Sequence, residues 1–408
     1  MGNITQKDNS VAGHDRTEAF GDWDVDLFIF LDGYFDDTIY VDGISGVERV
    51  YCGLEKAPCL NVNYGMERLK RTNVKEEIIV ISSTLMAGYV DLGGMCIKAK
   101  TEAIVEIECQ REVSGSEECV LKSASLTEIQ FIGIVVPSSF SRAITSVIGS
   151  STQNGELHMK NCEMSVVGGK ENTIAYFLIK STGKMVELDS VTISDVKSTV
   201  SLFSISLFSG NVNEQEYKVK LLNCTLEGLQ IDEGGEAAVF GGSVGVGMAM
   251  NGSRIDGALS MKSEEGGSLK IVLNEGGYVS IDNSSFVECI CENMSEGGKG
   301  GGIYLDCSLN EEAFQLTEIS FSGCRATVGK NMFVKSNNLV NSVDTERFAF
   351  DCSGYSNDGN AFVGEDGTYE EMDLRVFLVS LKWMDVSVST GGHDTLECGS
   401  DVFYLLFD

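Results

Sequence analysis

The stretch Val219-Lys220-Leu221-Leu222-Asn223-Cys224-Thr225-Leu226 decides the fold. Val219 and Leu221 alternate toward one side, as a half-buried strand requires. The phase then slips, because the next apolar residue is Leu226 rather than Thr225. A bend lies between, and Asn223 sits in it. Asparagine tolerates left-handed backbone angles and hydrogen-bonds its own turn. Eight residues thus spell strand, bend, strand.

The pattern recurs. With Phe131, Met164, Ile193, Leu226, Ile255, Phe286 and Phe321 as an anchor column, spacings are 33, 29, 33, 29, 31 and 35 residues. Seven positions earlier stand Ala124, Leu157, Val186, Val219, Met248, Val279 and Phe314; five earlier stand Leu126, Met159, Leu188, Leu221, Met250, Ile281 and Leu316. Three positions later stand Ile134, Val167, Val196, Leu229, Ala258, Cys289 and Cys324. Four wholly apolar columns in a chain that is 43% hydrophobic are a repeat, not chance. The bend position reads Asn161, Ser190, Asn223, Gly252 and Asn283, and stacked asparagines there could form an amide ladder.

Each repeat runs on into a second strand, often opened by glycine. Gly300-Gly301-Gly302-Ile303-Tyr304-Leu305 is the clearest, and 174–179, 200–207, 237–240 and 269–273 are others. Short strands and polar bends repeating every ~31 residues describe turns of a β-solenoid. Leucine-rich and ankyrin solenoids fail, since no Leu-x-x-Leu-x-Leu consensus recurs and no repeat holds two helices. The sequence therefore predicts an all-β fold, a right-handed parallel β-helix with a short N-terminal cap helix. An eighth repeat upstream is read from Val90, Leu92 and Ile97, although Lys100 breaks the fourth column.

A longer period is superimposed. The run 41–53 recurs at 388–399 around Cys52 and Cys398, and 26–31 recurs at 373–378. The expected organisation is a leader or cassette tail over 1–38 and a β-helix over 39–350. An irregular β segment follows over 351–385, and a truncated second cassette begins at 386–408. Residues 60–71, with Leu60 and Tyr64 on one face, suit a cap helix over the open first coil, whose strand edges would otherwise be exposed.

The Gly-Gly-x-x element at 301–304 and the Phe-x-x-Cys elements at Phe286 and Phe321 resemble repeats of chlamydial polymorphic outer-membrane proteins. That family's Asn is replaced here by Cys289 and Cys324. The opening Cys52-Gly53…Pro58-Cys59 is similar to that of large, uncharacterised β-helix proteins of protists, which share the pectin-lyase-like fold. The resemblance implies a surface-exposed or secreted, adhesin-like protein. It carries over no catalytic residue.

Thirteen cysteines include two candidate disulfides. Cys52 and Cys59 are close in sequence. Cys289 and Cys324 share a column on consecutive coils, where Cα atoms lie ~4.8 Å apart, inside the disulfide range. Buried cysteine also serves as a small hydrophobe, so the free-thiol reading stays open.

Charge and motif content narrow the function. Sixty-one acidic residues against 30 basic ones give a net charge of −31. This argues against nucleic acid and anionic membranes as partners. No apolar run reaches the ~18 residues of a membrane-spanning helix. No signal-peptide pattern opens the chain, and Met1-Gly2 lacks the myristoylation residue because Gln6 stands where Ser or Thr belongs.

Only His14, His158 and His393 are present, so imidazole-based metal chemistry is not expected. The run 297–305 imitates a calcium-binding glycine repeat, but Gly302 replaces the aspartate, leaving a tight turn as its reading. Glycoside hydrolysis needs paired carboxylates at fixed separation. Asp36-Asp37 precedes the first coil, and Arg142, Arg254 and Arg325 stand beside no acidic cluster in the sequence.

No catalytic, cofactor-binding or metal residue is assigned, and no cofactor is expected. Candidate glycosylation sites are Asn251 and Asn293; Asn223 and Asn283 are set aside as bend residues that turn inward. The expected function is a non-catalytic structural or adhesin-like module of a larger cell-surface or secreted array, with glycans or surface proteins as partners. A carbohydrate-active enzyme of the pectin-lyase-like fold is the alternative.

Overall fold

The computed structural model describes residues 38–48, 52–66, 77–112, 118–150, 152, 154–207, 217–232, 238–242, 247–261, 265–292, 297–309, 313–342, 360–365, 367 and 371–373. Their strands form four sheets of ten, nine, five and eleven strands. One turn passes through each in order. Met185–Asp189 lies in the ten-stranded sheet, Thr192–Ser194 in the nine-stranded, Lys197–Ser198 in the five-stranded and Phe203–Leu207 in the eleven-stranded. The next turn repeats the circuit with Tyr217–Leu222, Thr225–Glu227, Gln230–Ile231 and Ala238–Gly242. The chain is a parallel β-helix.

The predicted columns are its register. Leu157, Val186, Val219, Met248, Val279 and Phe314 pair in succession. So do Met164, Ile193, Leu226, Ile255, Phe286 and Phe321 in the nine-stranded sheet. All point into one continuous core apart from Phe321, which is half-buried and stacks on Phe286 with ring centroids 5.2 Å apart. Opposite them in the eleven-stranded sheet, Ile179 pairs with Phe203 and Leu269 with Ile303, and all four side chains join the same core. Stacking like on like places apolar side chains above one another at each level, which removes their surface from water.

The bend column is left-handed throughout. Asn161, Ser190, Asn223 and Asn283 have φ of 50°, 57°, 52° and 42°, and Gly252 has 61°. No continuous amide ladder forms, because Ser190 and Gly252 interrupt the asparagines. At Gly252 a Cβ would lie 2.5 Å from Asn223 Oδ1, so the glycine gives room to the asparagine one turn below as well as the backbone angle. Just inside the bend, Cys162, Cys224 and Ser253 are buried, and each donates to a carbonyl of the preceding turn: Ile129 O at 3.3 Å, Leu188 O at 3.3 Å and Leu221 O at 3.2 Å. A second left-handed column, Asp195, Gly228, Gly257, Glu288 and Gly323, closes the nine-stranded sheet.

The first aligned row is displaced by three residues. Leu157 pairs with Thr127 rather than Ala124, Met159 with Ile129 rather than Leu126, and Met164 with Ile134 rather than Phe131. Phe131 instead occupies the bend, with φ of 56°. The run 129–136 is so rich in apolar residues that two alignments satisfy the pattern equally; the hydrophobic residue at a normally polar bend favours the wrong one. Leu126 is accordingly 44% exposed.

Val167, expected in the core, is 45% exposed. Its turn takes a longer path through the 3-10 segment Gly169–Glu171, and the chain re-enters the core at Ile174. The eighth repeat is also re-registered. Ile97 pairs with Ile129, placing it in the Met159 column, while Val90 pairs with Leu121 in the eleven-stranded sheet.

At the N-terminal end, residues 62–66 form a helical turn whose Tyr64 N–H is capped by Asn61 Oδ1 at 3.0 Å. Val62 and Met66 are buried, and Gly65 lies close enough to Ile39 and Val41 that a Cβ would sit 3.3 Å from each. The remainder of the expected cap helix, 67–71, lies outside the described residues. At the other end, Glu371–Asp373 pairs antiparallel with Phe362–Glu365 and completes the eleven-stranded sheet. Residues 26–31, 374–378 and 388–399, which carry the longer period, lie outside the described residues.

Candidate functional site

Cys52 and Cys59 form a disulfide across a tight hairpin, with Cα atoms 4.7 Å apart. Gly53 N donates to Ala57 O at 2.9 Å within that hairpin, and Cys59 bridges Val41 and Val47. Cys289 and Cys324 are buried free thiols on consecutive turns. Asn251 ends its strand exposed, whereas Asn293 lies outside the described residues. Asn223 and Asn283 are exposed as well, correcting the expectation that they turn inward. A left-handed residue at an outer corner directs its side chain away from the core.

The outer face of the ten-stranded sheet carries charge in register. His158 sits between carboxylates of its own and the next turn, 3.9 Å from Glu156 and 3.9 Å from Glu187. Lys220 reaches Glu187 at 3.1 Å, and Lys184 pairs with Glu156. Pairs of this exposure contribute little to stability. They do spread the acidic surplus along the face.

A concave feature lies at the N-terminal end. A cleft of about 910 Å³ runs between the helical turn and the first strands of the nine-stranded sheet. Glu48, Asp91, Glu106 and Glu108 contribute acidity, Tyr64 and Tyr89 contribute aromatic rings, and among the described residues no lysine or arginine lines it. Glu106 and Glu108 project outward from Val105–Cys109 because they alternate with buried Ile107 and Cys109. Several polar groups here are already engaged: Asn63 holds both backbone groups of Ala87, and Asp91 accepts from Gly93 N at 3.0 Å. Sequence inspection missed this cleft. Strand alternation at 105–109 was a usable signal for Glu106 and Glu108, but nothing local announces the wall opposite.

A second polar centre sits outside the C-terminal turns. Tyr304, Phe333 and Val363 form a buried cluster separate from the main core, and the Tyr304 and Phe333 rings stack at 5.6 Å. Tyr304 Oη donates to Glu265 at 2.9 Å, and Lys270 reaches the same carboxylate at 3.1 Å. The glycines of 297–302 press their backbone against the next turn: a Cβ at Gly301 would lie 2.2 Å from Lys330 O. Among the described residues, no three His, Cys, Asp or Glu side chains are grouped to hold a metal ion. No helix there is long and apolar enough to cross a membrane.

No protein family, curated protein or solved structure matches this chain.

Proposed function

We propose that this protein is a non-catalytic, adhesin-like structural module of the right-handed, pectin-lyase-like kind, part of a larger cell-surface or secreted array. The observation that carries this reading is the continuous parallel pairing of the ten-stranded sheet, whose outer face repeats side chains at ~4.8 Å intervals. Such a face suits contact spread over a long surface. Its acidity, from a net charge of −31, keeps it soluble and directs it toward neutral or cationic surfaces. The test is two-part. Antibody labelling of intact cells should find the protein outside, and purified chain on beads should retain glycans or surface proteins in a salt-sensitive manner. Exclusive recovery from the cytosol would refute the surface assignment.

A second reading has one observation in its favour, the N-terminal cleft. Its size falls within the range of small-molecule sites, and the Glu106 and Glu108 carboxylates beside Tyr64 and Tyr89 suit a saccharide. On this reading the chain is a polysaccharide lyase or hydrolase. Release of reducing ends or unsaturated products from a polysaccharide panel, lost in Glu106→Gln/Glu108→Gln, would replace the first reading.

A further inference from the structure

Cys289 and Cys324 stand in one column on consecutive turns, directly after the left-handed residues Glu288 and Gly323. Arg325 N donates to Cys289 O at 2.9 Å, and Ile290 bridges Arg325, which fixes their register. The two thiols hold the same posture one level apart. Cys289 Sγ faces Ile255 O at 3.6 Å, and Cys324 Sγ faces Phe286 O at 3.5 Å. Ile255 and Phe286 are themselves register partners. The two side chains lie close enough to influence each other's ionisation. Adjacent levels are separated by ~4.8 Å, which a disulfide spans between Cα atoms of ~4.4 to 6.8 Å. The corner neighbours of Cys224, by contrast, are Val191 and Ser253.

The pair is asymmetric. Cys289 is 0% exposed and Cys324 7%, next to a glycine bend at the surface. The neighbouring Cys289 side chain holds the Cys324 thiol below its ordinary range, while that same proximity and burial push Cys289 up.

We propose that Cys289 and Cys324 are a redox-active dithiol that closes into a disulfide stapling two consecutive turns. Cys324, as thiolate, attacks a low-molecular-weight disulfide such as oxidised glutathione, forming a mixed disulfide and releasing one thiol. Cys289 then loses its proton to solvent and attacks Cys324 Sγ, which forms the Cys289–Cys324 bond and expels the second thiol. Two thiols are oxidised by two electrons, and the small disulfide is reduced to two thiols. The staple ties together the turns beneath the Tyr304 and Phe333 cluster, where it shortens the loop left free on unfolding.

The test uses the full chain, purified reduced, incubated with oxidised glutathione, denatured, alkylated and peptide-mapped. The expected result is loss of alkylation at both positions and recovery of a 289–324 cross-linked peptide, absent from Cys324→Ser and retained in Cys162→Ser. The native Cys52–Cys59 peptide reports that the mapping preserves disulfides. Full alkylation of both thiols after oxidation, a stable glutathione adduct at Cys324 without the cross-link, or pairing of Cys289 elsewhere would each overturn the proposal.

Discussion

Lys299 reaches Glu365 across 66 residues of sequence, with Nζ 2.8 Å from Oε2. The same ammonium lies 4.5 Å from the centroid of the Phe333 ring. Glu365 is a buried carboxylate, so the pair clamps the segment 297–302 over the outer aromatic cluster while compensating a charge that has left bulk water. Lys299→Ala should therefore lower unfolding free energy by about 1 to 3 kcal/mol, because it strands the Glu365 carboxylate. Adding Glu365→Gln should recover part of that loss. Urea denaturation of the single and double variants measures both.

The core ladder makes a sharper contrast. Leu226 is buried between Ile193 and Ile255, and Leu226→Ala should cost about 2 to 5 kcal/mol, since stacked neighbours above and below resist collapse into the gap. Leu126→Ala, at an exposed position, should stay within about 0.5 kcal/mol of the parent. Equal costs at the two sites would restore the alignment rejected above.

The bend column allows a coupled test. Asn223→Val should destabilise by about 1 to 2 kcal/mol because a β-branched residue is strained at φ of 52°. Asn223→Gly should be nearly neutral. Gly252→Ala should be costly in the parent and less costly in Asn223→Gly, since its Cβ meets the Asn223 side chain. A double-mutant cycle reads the coupling.

How much of this was legible in sequence follows from what each position must do. Val219, Leu221 and Leu226 reveal themselves because burial at strand period and the bend between them demand distinct residue types. Phe131 misleads because it is apolar at a bend, and its neighbours are apolar too. The second bend column, with Asp195 and Glu288 among glycines, carries no uniform chemical signature. The cleft joins residues from 43 to 110, and the Lys299–Glu365 clamp joins loops whose approach depends on how many turns separate them. Such non-local contacts appear only once the register is known.

Acid should weaken the first turn. Burial alone would raise the Asp42 carboxyl, but hydrogen bonds from Ser45 and Ser82 and from the backbone of Ile44 and Ser45 outweigh it and hold the group at about 2. The folded value lies below the unfolded one, near 3.8. The stabilisation is therefore complete above about pH 4 and is lost as pH falls toward 2. Asp42→Asn should flatten that part of the stability profile, and a parent profile that is already flat there would contradict the assignment.

Buried thiols should be silent in the folded protein. Burial pushes Cys109 up to about 12 and Cys162 and Cys224 to about 11. Iodoacetamide at pH 8 should leave all three unmodified until denaturant is added, as mass spectrometry of the alkylated peptides will report.

The stacking itself is the central claim, and one distance tests it. Thr192, Thr225, Arg254, Ser285 and Ser320 succeed one another on the outer face of the nine-stranded sheet. Thr192 and Ser320 are thus four levels apart, about 19 Å at the parallel-strand spacing. Spin-labelled amino acids introduced genetically at these two positions, which spares the native cysteines, should give a narrow electron-paramagnetic-resonance distance distribution centred near that value, broadened only by the label linkers. A distribution centred beyond about 30 Å, or one with no defined maximum, would contradict the parallel β-helix.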